Sequence, residues 1–191
     1  HFDVFGYHLV NLMIHLGSSI MVFWFTLLLL STPKIKDDSI AKRSLPAALF
    51  TALIFLSHPI QTESVTYILQ RATCLSGLFY LASICFYLKS RLLQEEAKPW
   101  TSPYALSLLF SILAMFTKEQ TITLPFMILI CELFFFKKAR YRYAVAFFIL
   151  LPIIPILLIL TKSAISADMG TLVTPRTYSE PYYFLTQFRV I

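Results

Sequence analysis

The chain has 191 residues, of which 58% are hydrophobic, 16% aromatic and only 14% charged, and its mean hydropathy is +0.72. Soluble globular chains carry about 45–50% apolar and about 25% charged residues, so this composition excludes an ordinary soluble domain and implies an integral membrane segment. The net charge of +6 does not call for a nucleic-acid partner, because the basic residues stand in short connections between apolar runs, the pattern of charges that set membrane topology.

Taken in order, residues 8–30 are the first predicted span, with His8, Asn11 and His15 on one face of its opening turns. These three either line a cavity or hydrogen-bond between helices. A connection with Lys34, Lys36, Lys42 and Arg43 follows, then a second apolar run over 45–61. Residues 57–71 interrupt the hydrocarbon with His58, Glu63 and Arg71. Pro59 suits the first position of a helix, where its missing N–H costs nothing. A helix from there sets Glu63, Tyr67 and either Gln70 or Arg71 along one face.

Further spans are predicted over 72–88, 103–117, 121–136 and 143–161, the last containing Pro152 and Pro155 and therefore expected to kink. Lys89, Arg91 and Lys98 are assigned to one connection, and Lys137, Lys138, Arg140 and Arg142 to another. Residues 162–183 read as an external loop, and 184–191 as the start of a further span or an interfacial helix. The fold class is thus expected to be all-α, a polytopic transmembrane helix bundle. The start at His1 and the stop at Ile191 within an apolar stretch are expected of an excerpt from a longer protein.

Three connections of one parity hold eleven of the 16 basic residues, which makes that side cytoplasmic. The His8 end of the first span, the 57–71 island and Lys118-Glu119 then share the opposite face. A carboxylate there serves as a base for a hydroxyl, a metal ligand or a clamp on a sugar hydroxyl, and Glu63 is the best placed, or else it pairs with Arg71 or Lys118 across helices. Arg71 and Lys118 suit an anionic ligand such as a lipid phosphate, or snorkel to the interface. His58 caps the next helix or meets substrate. Glu132 reads as a partner for Lys137 rather than a site, and Cys74, Cys85 and Cys131 as small core hydrophobes. No internal repeat, Gly-rich phosphate loop, nucleophile elbow or zinc-protease motif is present.

Gly6-Tyr7-His8-Leu9-Val10-Asn11-Leu12-Met13-Ile14-His15, His58-Pro59-Ile60-Gln61-Thr62-Glu63, Arg71 and Thr117-Lys118-Glu119-Gln120 resemble successive signatures of one family. It is the multi-spanning membrane proteins with C-terminal tetratricopeptide repeats, similar to protein O-mannosyltransferases of the GT-C glycosyltransferase fold. Residues 183–191 look like its bacterial branch, which implies a bacterial inner membrane, or the endoplasmic reticulum for a eukaryotic source.

The resemblance implies inverting transfer of mannose or another sugar from a polyprenyl-phosphate donor to protein Ser/Thr hydroxyls on the non-cytoplasmic face. A divalent metal is one possible cofactor, with Glu63 a possible ligand. Glu63 and His58 are implied as catalytic, and Arg71 and Lys118 as binding the donor phosphate. His8, Asn11, His15, Tyr67 and Glu119 are implied to line the cavity. A further acidic motif is expected in a loop before residue 1, apart from a tail around Asp3. A transporter and a non-catalytic platform for a repeat domain are the alternatives. A transporter usually places its charges near the midplane and shows inverted repeats, neither of which is seen in the sequence.

Overall fold

The computed structural model describes residues 4–61, 71–153 and 156. The chain divides into two units, His1–Pro155 and Ile156–Ile191. Apart from Ile156 the second unit lies outside the described residues, as do Glu63, Tyr67, the predicted 162–183 loop and the 184–191 stretch.

Among the described residues every regular element is helical: α1 (Val4–Leu30), α2 (Ser44–Ser57), α3 (Arg71–Glu95), α4 (Thr101–Thr117), α5 (Leu124–Phe135) and α6 (Tyr141–Phe148), with short 3-10 turns at Ala41–Arg43, Pro59–Gln61 and Glu119–Thr123. A span needs about 20 apolar residues. Within α1, His8–Leu30 meets that length, as does α3, while α4 is apolar but shorter.

Local chemistry sets the helix ends. His58 precedes Pro59, whose ring disfavours a helical predecessor, and His58 is extended at φ −66°, ψ 128°, closing α2. Pro125 sits in the first turn of α5, where no N–H is missed. At the end of α3 the Ala97 N–H donates to the Gln94 carbonyl and the Lys98 N–H to the Leu93 carbonyl, at 3.3 and 2.9 Å. These are the two bonds of a Schellman motif, and they put Ala97 at φ 56°, where glycine would be unstrained.

Around a core of Leu28, Ile84, Leu88, Leu124, Ile128 and Phe147, the packing departs from that of a soluble protein. Asn11, Ser83, Arg91, Ser107, Ser111 and Glu132 are fully buried, whereas Met13, Ile20, Phe50, Phe116 and Phe134 are each at least 60% exposed. Exposed apolar and buried polar side chains are what a lipid-embedded surface requires. The contacts between helices use small residues. Ser83 Oγ donates to the Ser107 carbonyl at 3.0 Å and lies 2.7 Å from Ser111 Oγ. Ser107 Oγ returns a bond to the Ser83 carbonyl at 2.7 Å. These bonds draw α3 and α4 into a close antiparallel pair. Ala48 and Ala52 do the same for α2 against α1, with Ser19 Oγ donating to the Ala52 carbonyl at 3.1 Å.

Cross-helix contacts fix the directions. His15 meets Leu56 and Ser19 meets Ala52, so α1 and α2 are antiparallel. Cys85 reaches the Met21 carbonyl, and an added Cβ at Gly17 would meet Leu78, so α1 and α3 are parallel. Tyr80 meets Thr123 and Tyr87 meets Glu132, so α5 runs with α3. One end of this unit therefore gathers the starts of α1, α3 and α5 with the ends of α2 and α4.

Two sequence readings are corrected at the other end. Arg91 is not in a connection: α3 runs two turns past the predicted stop at residue 88 and buries it completely. Glu132 does not pair with Lys137. Its carboxylate takes the Arg91 guanidinium at 2.7 Å with neither side chain exposed, the Tyr87 hydroxyl at 2.9 Å and the Arg140 N–H at 2.6 Å. Arg91 also donates to Gln94 Oε1 and to the Lys138 carbonyl. Once buried, a charge must be paired and hydrogen-bonded, and this one is.

Candidate active site

The cavity of interest opens among the starts of α1 and α3 and the end of α2. It has a volume of about 310 Å³ and is lined by His15, Ser18, Phe55, Gln61, Thr73, Cys74, Gly77, Tyr80 and Leu81. That size is at the lower end of small-molecule pockets, which run about 300–1,000 Å³. Gly77 contributes space, since an added Cβ would find nothing within 4 Å.

Four chain segments place the polar groups. His15 is held on α1 by the Leu56 carbonyl, 3.1 Å from its Nε2, and by the Phe55 ring at 5.5 Å. Thr73 lies in the first turn of α3 and accepts a 2.6 Å hydrogen bond from Lys118 Nζ. Lys118 is itself the extended residue that ends α4, at φ −158° and ψ 143°, so the break between α4 and the 3-10 turn aims an ammonium at the cavity wall. The Tyr80 hydroxyl lies 3.3 Å from Thr123 Oγ1, which ties that wall to the same 3-10 turn. Hydroxyls, an amide, an imidazole and a neighbouring cation thus meet around one space. Such groups recognise a ligand carrying hydroxyls and negative charge.

Of the residues singled out in the sequence, His15 and Cys74 line this cavity, and Lys118 reaches it only through its bond to Thr73. Asn11 is buried and His8 half-buried one and two turns back along α1, outside the lining. Arg71 opens α3, half-buried, two residues before Thr73. His58 is exposed and its Nδ1 accepts the Ile60 N–H at 3.2 Å, a local capping contact. Glu119 is exposed and is not among the lining residues. Glu63 and Tyr67 lie outside the described residues.

Sequence reasoning missed Gln61, Thr73, Gly77 and Tyr80. The signal for three of them was the spacing 73, 77, 80, one face of a helix, hidden because small polar residues are common in membrane helices. Among the described residues no three His, Cys, Asp or Glu side chains come together as a group that could hold a metal ion; Glu63, the ligand implied by the resemblance, lies outside them.

No family model and no solved structure matches the chain. Similarity to curated proteins is clear. The chain is 38% identical over 128 residues to human protein O-mannosyl-transferase TMTC4, covering 64% of this chain and 17% of that protein. It is 31% identical over 152 residues to protein O-mannosyl-transferase Tmtc3 of Drosophila melanogaster, covering 72% and 16%. It is 34% identical over 129 residues to mouse protein O-mannosyl-transferase TMTC3, covering 68% and 12%. The chain therefore spans about a sixth or less of the length of these relatives. Its homologues are members of the protein O-mannosyl-transferase family, and the likeness supports that family and a membrane protein of glycosyltransferase type.

Proposed function

We propose that the chain forms part of the transfer site of a protein O-mannosyltransferase of GT-C architecture. On this reading mannose or another sugar passes from a polyprenyl-phosphate donor to Ser/Thr hydroxyls of a protein acceptor. The observation that carries the proposal is the Lys118 ammonium held against Thr73 at the wall of this cavity, in a chain whose homologues bear that activity in their names.

The acceptor oxygen attacks the anomeric carbon from the side opposite the phosphate, and the bond from that carbon to the phosphate oxygen breaks. Polyprenyl phosphate leaves with the electron pair, and the acceptor proton passes to a carboxylate, for which this chain offers Glu63. Lys118 and Arg71 stabilise the charge that grows on the departing phosphate. His15, Gln61 and Tyr80 orient sugar hydroxyls at the cavity wall.

The side carrying this cavity is the non-cytoplasmic one, on the balance of basic residues in the opposite connections. The pattern of residues 183–191 favours the bacterial branch and hence an inner membrane, with the endoplasmic reticulum as the counterpart in a eukaryote.

The test is transfer by the intact protein, in membranes, from labelled polyprenyl-phosphate mannose to protein acceptors, with Glu63→Gln and Lys118→Ala beside wild type at equal expression. Loss of one phosphate-stabilising donor lowers the rate by about 100-fold. Unchanged transfer in Glu63→Gln would move the base to another carboxylate. Absence of transfer in wild type with every sugar donor would put the platform or transporter reading first.

A further inference from the structure

A second recess lies at the opposite end of the same unit, where the 3-10 turn Ala41–Arg43 runs into α2. It has a volume of about 660 Å³, and its lining includes Ser39, Ile40, Lys42, Arg43, Pro46 and Phe50. The proposed reaction does not use it. The turn is fixed by backbone bonds from the Ala41 N–H to the Asp38 carbonyl and from the Arg43 N–H to the Ile40 carbonyl, at 3.1 and 3.0 Å, and both cationic residues line the recess. Asp37 and Asp38 are close in sequence, yet among the described residues no carboxylate lies within ion-pair distance of Lys42 or Arg43.

Directly below the cations α2 is apolar and uncovered. Pro46, Phe50 and Ile54 step along it by fours, with Leu49 and Leu53 beside them, and all five are exposed. Ala48 and Ala52, on the side of the helix that meets α1, are the residues buried in this helix. From Pro46 to Ile54 the stripe is about 12 Å long at 1.5 Å per residue, close to half of a hydrocarbon core about 30 Å thick. Positive charge at the rim and one leaflet's depth of apolar surface beneath it match a single kind of molecule.

We propose that the Ser39–Phe50 recess is a binding site for an anionic phospholipid of the surrounding bilayer, its phosphate between Lys42 and Arg43 and its acyl chain along Pro46, Phe50 and Ile54. Arg43 supplies a forked donor and Lys42 a point charge, and α2 begins with no acidic residue in its first turn to repel the phosphate. The ligand is a lipid rather than free phosphate because the larger part of the surface is apolar.

The test is native mass spectrometry of the intact protein released from nanodiscs, titrated with phosphatidylglycerol or phosphatidylcholine. Wild type is expected to retain phosphatidylglycerol preferentially. Lys42→Gln/Arg43→Gln should weaken that preference by about thirtyfold, since each basic residue near an anionic surface is worth about fivefold. Lys137→Gln/Lys138→Gln removes equal charge outside the recess and should cost far less.

Ala47→Phe, which fills the recess and leaves both cations, should also lose the lipid while eluting as wild type. Equal losses in the two charge-matched variants would reduce the effect to general attraction and overturn the site. So would displacement of the lipid by millimolar inorganic phosphate, or unchanged retention in Ala47→Phe. None of these outcomes depends on sugar transfer, so the lipid site and the transfer site fail separately.

Discussion

The two ends of the described unit solve opposite problems with similar residues. At one end Lys118 stops at a threonine hydroxyl beside an open cavity. At the other Arg91 is sealed, its guanidinium shared among Glu132, Gln94 and the Lys138 carbonyl and covered by the Phe136 ring at 4.6 Å. The closed cluster clips the connection between α5 and α6 to α3. The open one leaves cation and hydroxyls available. A buried charge that is fully paired holds helices in place, whereas one that faces a cavity with spare capacity is ready for a ligand.

The sharpest way to break this contrast is at the sealed end. Glu132→Ala leaves Arg91 buried without its counter-charge and should cost about 3–5 kcal/mol, read as a large fall in the unfolding midpoint in detergent. Replacing both partners, as in Arg91→Met with Glu132→Leu, should recover much of that loss. A small effect of the single variant would mean that water reaches the cluster.

At the open end the expected effects fall on function. Gly77→Met fills the cavity without a backbone clash, so transfer should fall steeply while the unfolding midpoint holds. Thr73→Val removes the acceptor of the Lys118 bond and should reduce transfer less than Lys118→Ala, because the charge remains. If Thr73→Val were the more damaging, the hydroxyl itself would be the ligand-binding group.

Smaller effects sharpen the boundary between the ends. Ala97→Gly should stabilise by about 1 kcal/mol by relieving a left-handed residue, measurable as a higher midpoint with unchanged transfer. Smallest of all is the Glu96–Lys98 pair, 2.7 Å apart but exposed. Lys98 holds the Glu96 carboxyl below its usual range. Its contribution is therefore present above the ordinary carboxylate pKa and lost as the pH falls through the lowered one. Solvent screens it, so Glu96→Gln should leave acid unfolding indistinguishable from wild type.

What the sequence made legible follows from the range of each interaction. The apolar runs located helices, because these are effects of neighbours in the chain, but the 45–61 run overshot α2, which stops at Ser57 before the Pro59–Gln61 turn. Convergence of His15 and Lys118 on one end was also within reach, since alternating helices carry their ends to alternate sides. The Arg91–Glu132 pair was not. Its partners stand 41 residues apart, and a charge near a predicted helix end looks the same whether it meets water or a carboxylate. Thr73 and Tyr80 were invisible for a related reason: a hydroxyl in an apolar run becomes informative only when its neighbours in space are known. Glu63, Tyr67 and everything beyond Ile156 stay at the level of sequence expectation.

The serine contact between α3 and α4 has a consequence for biosynthesis. Ser83 and Ser107 each satisfy the other's helix, and Ser111 completes the set. While α3 is alone beside lipid, the Ser83 hydroxyl has no cross-helix partner, and it gains one only when a segment some 24 residues later arrives. The connection between the helices, from Glu96 to Trp100, is five residues long, so that partner is tethered nearby as soon as it is made. The pair is therefore suited to leave the insertion machinery as a closed hairpin, with its polar seam never shown to the bilayer.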